Sequence, residues 1–199
     1  MPEPQQVEVL PTPLERAHFS GTIHVVTSLE ALDVAYETLV TFPVLGFDTE
    51  TRPTFTKGHP DRFVSIVQFA TADEAWIIRT KELKLPPKLR EIFENPSIVK
   101  VGLAVHEDIH RLRRFHPLEP KNVVDLQRLA KAAGHKELSL KKLSECFLQL
   151  GVSKSARLSN WDAEELTPKQ LLYAATDAWL CFQLYYRSGL VENPIGSSH

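Results

Sequence analysis

The sequence predicts one α/β domain built on a mixed β-sheet flanked by α-helices, and three observations lead there. β-rich runs come early, helices are interleaved among them, and helices then take over. A length of 199 residues suits one ordinary domain and leaves little room for a second. With 43% hydrophobic and 24% charged residues, the chain has enough apolar side chains for a sizeable core, which excludes global disorder.

The elements follow in order. Four of the fourteen prolines (Pro2, Pro4, Pro11, Pro13) fall before residue 20, so residues 1–20 read as an extended or mobile arm. Thr22–Val26 is a short strand. Thr27 and Glu30 form a capping-box pair, and Leu32, Ala35, Tyr36 and Leu39 supply the i, i+3, i+4, i+7 stripe of an amphipathic helix. Val44–Thr49 is a buried strand, and Phe63–Ala70 and Ala75–Thr80 form a hairpin across the turn-like Thr71–Glu74. Pro86 and Pro87 open a helix that ends near Asn95 and Pro96. Lys100–Val105 is a further strand, and His106–Phe115 is helical. Asn122–Ala133 and Ser139–Leu150 read as two more helices, stopped by Gly134 and Gly151. Thr167, Pro168 and Gln170 mark the start of a last helix running to about Ser188. The domain therefore spans residues 21–190, with a short tail at 191–199.

No run approaches the ~18 consecutive apolar residues of a membrane span. The acidic, proline-rich start is the wrong chemistry for a signal peptide, so the expectation is a soluble cytoplasmic protein with no membrane partner. Cys146 and Cys181, each in an apolar helical pattern, are expected to be buried in the core, and two thiols make neither a disulfide framework nor a zinc ribbon. The net charge of -2 conceals an asymmetry. Residues 1–50 hold eight acids against Arg16 alone, whereas residues 100–142 carry a surplus of five positive charges. A basic segment suits a phosphate-binding face and equally a solvated helix.

The acids of the apolar segments need an explanation. Asp48 and Glu50 end the strand that starts at Val44, and i, i+2 spacing points both to one face. Two like charges that close repel unless a cation sits between them. A strand that had already ended would instead leave both solvated. The last helix is apolar nearly all round, interrupted on one face by Tyr173 and Asp177 at i, i+4. A buried aspartate must be paired, hydrogen-bonded or metal-bound, so a structural hydrogen bond remains open for this pair. Asp108 stands on the first turn of the helix after Lys100–Val105, where an acid also suits the helix dipole. Together the four carboxylates suit two divalent cations, Mg²⁺ or Mn²⁺, held by hard oxygen ligands, a pair able to activate water and stabilise the leaving oxygen of a phosphodiester.

A rival pattern overlaps the same place. His106-Glu107-Asp108-Ile109-His110 matches the H-E-x-x-H helix of zinc proteases, and His116 falls at the third-ligand spacing of the longer signature. Arg113 replaces the glycine that the longer signature needs, and the only methionine is Met1, which removes the Met-turn. The match reads as coincidence.

Phe47-Asp48-Thr49-Glu50-Thr51 resembles the first motif of the DEDD 3′–5′ exonucleases. Lys100-Val101-Gly102-Leu103 leading to Asp108 resembles the second, and Tyr173-Ala174-Ala175-Thr176-Asp177 the third. The Y-x-x-x-D form is that of the DEDDy subclass, shared by RNase D and the exonuclease domain of the Werner syndrome helicase. The resemblance is nearer to the Werner-like branch. Arg52-Pro53, Phe55 and Gly58 follow the first motif, and Lys154 through Trp161 and then Leu166-Thr167 precede the third. It covers about residues 21–190, without the extra helical domains of RNase D or a helicase.

The resemblance implies an RNase H-like fold and a two-metal phosphodiesterase releasing nucleoside 5′-monophosphates from a 3′ end. Asp48 would bridge both ions, Glu50 and Asp177 would complete the site that holds the attacking water, and Asp108 would act on the second ion. Tyr173 would orient the water. On residue types alone Glu107 competes with Asp108, and motif spacing selects Asp108. Phe55 is expected to stack on a base, and Lys154, Ser155 and Arg157 to contact phosphates, whereas Trp161 reads as a packing anchor. DNA is the favoured substrate. The alternatives are an RNase D-like exoribonuclease and a nucleic-acid-binding module without catalysis.

Overall fold

In the computed structural model, residues 13–54, 63–153 and 155–195 are described. Among them the strands are, in order, β1 (Glu15–Arg16), β2 (Thr22–Val26), β3 (Val44–Glu50), β4 (Ile66–Ala70), β5 (Glu74–Ile78), β6 (Val99–Gly102), β7 (Val123–Asp125) and β8 (Leu150–Gly151). The helices are α1 (Leu29–Leu39), α2 (Thr80–Leu83), α3 (Pro87–Glu94), α4 (Val105–Leu112), α5 (Leu126–Ala132), α6 (Leu140–Leu143) and α7 (Pro168–Arg187).

Six strands form one sheet in the order β2-β5-β4-β3-β6-β7. β4 runs antiparallel to both its neighbours, β3 and β5, while β2 pairs parallel to β5, and β6 and β7 extend parallel to β3. The sheet is mixed, as the sequence predicts. The period-two alternation of β3 divides the molecule. Leu45 and Phe47 pack with Phe69, Phe93 and the apolar stripes of α1 and α3 on one side. Val44 belongs to the other side, where α7 supplies Leu180, Cys181 and Leu184.

Glycine decides how closely α7 approaches. A Cβ on Gly46 would fall 2.1 Å from the Ala178 carbonyl oxygen and 2.9 Å from Phe182, so any larger residue would push α7 off β3. The facing residues Ala174, Ala175 and Ala178 are fully buried. Gly102 is similarly enclosed, a Cβ there meeting Val105 at 2.6 Å and the Phe47 carbonyl oxygen at 2.8 Å. The start of α7 carries the full capping box that Thr167 and Gln170 predict.

Several expectations are corrected. Ser28, not Thr27, caps α1, accepting from the Ala31 amide. The strand expected over Lys100–Val105 ends at Gly102, because Ala104 is left-handed at φ 56° and turns the chain into α4. Asn122–Ala133 is not all helix: Val123 and Val124 pair with β6 as an edge strand, and Asp125 caps α5. The helix expected over Ser139–Leu150 widens from α6 into a π-helical turn, Ser144–Leu148, and stops at left-handed Gln149. Cys146 on that turn is exposed, whereas Cys181 is buried. The arm expected over residues 1–20 docks from Glu15 onward: β1 pairs with β8, and Ala17 and Phe19 are buried. The described part of the tail folds back, the Ile195 amide donating to the Tyr185 hydroxyl. Among the described residues, no helix is long and apolar enough to cross a membrane.

Candidate active site

The C-terminal end of β3 meets the middle of α7. Asp48 and Glu50 follow Gly46 on the strand face turned to α7, and Asp177 comes from the helix turn that Gly46 admits. Each of the three carboxylates offers an oxygen, all within 4.8 Å of one another. The fourth predicted acid arrives from the opposite side of the strand. Thr49 points away from α7, and its hydroxyl donates to Asp108 Oδ1 at 2.5 Å, which fixes a carboxylate on α4 that is only 8% exposed. The open choice between neighbours thereby gains a geometry. Asp108 faces inward, while Glu107 is exposed and lies 3.7 Å from Arg111. His106 and His110 are exposed as well, so the H-E-x-x-H residues do not converge inside the fold.

The electrostatics are those of a group of anions short of a cation. Burial, then the charges of Asp108, Asp177 and Glu50, push the Asp48 carboxyl far above the ordinary carboxylate range. Burial first, then Asp177 and Asp108, push Glu50 up to about 9, with the Arg157 charge acting in the opposite direction. Burial raises Asp177 to about 7 against the stabilising hydroxyl of Tyr173, and raises Asp108 to about 6 against that of Thr49. Asp177 Oδ1 is buried without a hydrogen-bond partner among the described residues. These groups cannot all be ionised at neutral pH unless a positive charge joins them, and their hard oxygens suit a divalent ion. Tyr173 is itself held protonated, chiefly by burial and then by the charges of Asp177 and Glu50.

The loop before α7 is brought to the same place. Ser155 lines a cavity shared with Tyr173 and Asp177, and the exposed Arg157 acts on Glu50 through its charge. Trp161 is fully buried, its indole donating to the Arg157 carbonyl oxygen, and its ring centre lies 6.0 Å from that of Tyr173. It is the packing anchor that the sequence suggests. Phe55, Gly58 and Lys154 lie outside the described residues.

Three further residues escape the sequence reading. Thr49 sits between the two acids, but strand alternation sends it to the other face, where only the fold reveals Asp108. Gln68 is paired directly across from Asp48 on β4, fully buried, with neither amide atom partnered among the described residues. Its signal is a lone amide in the apolar run Ile66–Ala70. Asp125 accepts from the amides of Gln127, Arg128 and Ala104, so the cap of α5 also holds the turn that leads to Asp108. Its signal is an N-cap aspartate, hidden because the helix is expected to begin upstream.

Comparison with known proteins sets this geometry in context. A family model described as 3′–5′ exonuclease matches residues 23–187. The exonuclease 3′–5′ domain-containing protein 2 of Drosophila melanogaster is 38% identical over 151 residues, covering 74% of this chain and 25% of that protein. The mouse bifunctional 3′–5′ exonuclease/ATP-dependent helicase WRN is 32% identical over 196 residues, covering 92% of this chain and 14% of that protein. The chain thus spans a quarter or less of these relatives. Among solved structures, Escherichia coli RNase D, an exoribonuclease involved in structured RNA processing, superposes with a TM-score of 0.75 at 25% identity, covering 84% of this chain and 44% of that one. The fold is RNase H-like.

Proposed function

Because the chain belongs to the 3′–5′ exonuclease family, we propose that it removes nucleotides one at a time from the 3′ end of a nucleic acid, with DNA the favoured substrate. The observation that carries this reading is the convergence of Asp48, Glu50 and Asp177 oxygens to within 4.8 Å, with one Asp177 oxygen left without a hydrogen-bond partner among the described residues. Asp48, Glu50 and Asp177 would hold one divalent ion, with Asp48 shared by a second that Asp108 assists. When bound, Mg²⁺ or Mn²⁺ acidifies the attacking water and neutralises charge on the leaving oxygen.

The protein's own groups act around that chemistry. The Tyr173 hydroxyl, one turn before Asp177, orients the water by hydrogen bonding. It does not abstract the proton, because burial and the neighbouring carboxylates hold it protonated. Thr49 keeps Asp108 aimed at the strand end. Ser155, in the cavity that Tyr173 and Asp177 also line, and Arg157, whose charge acts on Glu50, would supply a donor and a counter-charge to a phosphate next to the scissile bond. The products are nucleoside 5′-monophosphates.

A second reading, an exoribonuclease, draws on the likeness to E. coli RNase D. Discrimination against RNA needs only one or two contacts to the 2′-hydroxyl, so the same site serves either strand.

The test is digestion of 5′-labelled single-stranded DNA, 3′-recessed duplex and RNA, each with Mg²⁺, Mn²⁺ and EDTA. The expected result is a ladder shortening from the 3′ end, lost in EDTA and in Asp48→Ala. Absence of a ladder with either metal overturns the proposal in favour of a binding module.

A further inference from the structure

The sequence reads residues 1–20 as an extended or mobile arm, yet the fold places the end of that segment against the acidic site. The Ala17 amide donates to the Gly151 carbonyl oxygen at 2.9 Å, and the Phe19 amide donates to the Thr176 hydroxyl at 3.2 Å. Thr176 immediately precedes Asp177. Between these two attachments the chain alternates as a strand does, so buried Ala17 and Phe19 anchor it while Arg16 and His18 face outward. The outward face borders a cavity of about 230 Å³, which Tyr173 and Asp177 also line and to which Lys169 adds a second long cationic side chain. Ser155, one of the expected phosphate contacts, belongs to its lining too. Among the described residues, neither Arg16, His18 nor Lys169 makes a side-chain hydrogen bond or ion pair.

A cavity with two unpaired cations and an imidazole, opening beside a cluster of carboxylates, is suited to an anionic chain that approaches those carboxylates. A neutral or cationic ligand would leave the cations unmatched. A free small anion would gain nothing from a groove that leads to the acids. The segment is also the one place in residues 1–50 that carries a base, against eight acids.

We infer that this groove is a backbone-binding subsite: Arg16, His18 and Lys169 grip the phosphates of the nucleic-acid strand just beyond the bond being cut. The inference rests on the exonuclease reading and adds the N-terminal segment to the substrate-binding surface. Its role is to hold the strand, so its effect belongs in binding and KM rather than in kcat.

The experiment measures binding of a labelled single-stranded oligothymidylate by fluorescence anisotropy over a range of salt concentrations, in EDTA so that turnover stops. Each phosphate neutralised contributes about 0.7 to the slope of log affinity against log salt for a single strand. The double variant Arg16→Gln/Lys169→Gln is expected to lose about 1.4 from that slope and to bind roughly tenfold more weakly at moderate salt. Both residues are exposed, so the fold is retained, and circular dichroism checks this. The charge-preserving pair Arg16→Lys/Lys169→Arg is expected to restore the slope. An unchanged slope in the Gln pair, no rescue by the charge-preserving pair, or no strand binding by the unaltered protein overturns the inference. A protein that binds the strand with the expected slope but never shortens it with Mg²⁺ or Mn²⁺ would sink the exonuclease reading and leave the groove standing.

Discussion

Two buried charged sites at strand ends show opposite designs. Arg79, just beyond β5, is 2% exposed, yet both terminal nitrogens of its guanidinium are matched by the protein itself, while its Nε has no partner among the described residues. It donates to the carbonyl oxygens of Ala163 at 2.6 Å and Glu164 at 3.2 Å and to the Glu82 carboxylate at 3.2 Å. Lys81 and Ser65 bind Asp162 in the same loop, so this cation site fastens the segment that leads into α7. At the end of β3 the situation is reversed. Asp48, Glu50 and Asp177 crowd one another, and among the described residues they make no ion pair with a cationic side chain and one Asp177 oxygen has no hydrogen-bond partner. The charge of the first site is matched within the fold, by Glu82 and two carbonyl oxygens, and contributes stability. The second is incomplete by itself and is stable at neutral pH only if protons or a metal join it. That contrast separates the structural charge from the functional ones more sharply than burial does, since Arg79 and Asp177 are both buried.

The contrast is broken most directly at the acids. Asp48→Ala or Asp177→Ala is expected to lower exonuclease activity by roughly 10³-fold or more, while the metal-free protein melts no lower than the unaltered one. Arg79→Met should do the opposite. It leaves two loop carbonyls unmatched at a cost of about 3 kcal/mol, and the melting temperature falls by roughly 6–12 °C, as differential scanning calorimetry would show. Equal destabilisation by Asp48→Ala and Arg79→Met would erase the distinction.

The pH response sharpens it. The folded-state pKa values of Asp108, Asp177 and Glu50, about 6, 7 and 9, are all raised above the unfolded carboxylate range. The metal-free folded protein therefore binds more protons than the unfolded chain between about pH 4 and 9, and its stability falls as pH rises through that window. Thermal melts in EDTA should show the melting temperature falling from pH 5 to pH 8, and Mg²⁺ or Mn²⁺ should flatten the slope. A metal-free protein that grows more stable over that range would contradict the reading of the cluster.

Thr49→Val is the smallest of the tests. It keeps the shape of the strand and removes the one hydroxyl that holds Asp108, so activity is expected to fall about tenfold, worth about 1.4 kcal/mol, with little change in melting temperature. Activity equal to that of the unaltered protein would mean that Asp108 needs no such support.

Much of this was legible from residue order. The alternation of β3, the α1 stripe and the Thr167–Gln170 box are local patterns, and the structure carries all three. The acids were legible for the same reason: i, i+2 on a strand and i, i+4 on a helix define faces before any packing is known. Local pattern failed where a few residues change state because of a neighbour. Val123 and Val124 are a strand only because β6 offers them an open edge. Ala104 is left-handed where the chain must turn within one residue, with its amide held by Asp125 from the next strand.

Residue types and spacing, then, settled which faces exist and which acids share them, because backbone geometry repeats with a known period. They left undecided which faces meet. Gly46 bringing α7 onto β3, Thr49 reaching through to α4, Gln68 falling opposite Asp48, and Arg16 folding back beside Tyr173 all join residues far apart in the chain. Such contacts depend on the closing of one fixed arrangement of sheet and helices, in which the position of every element is set by the packing of all the others.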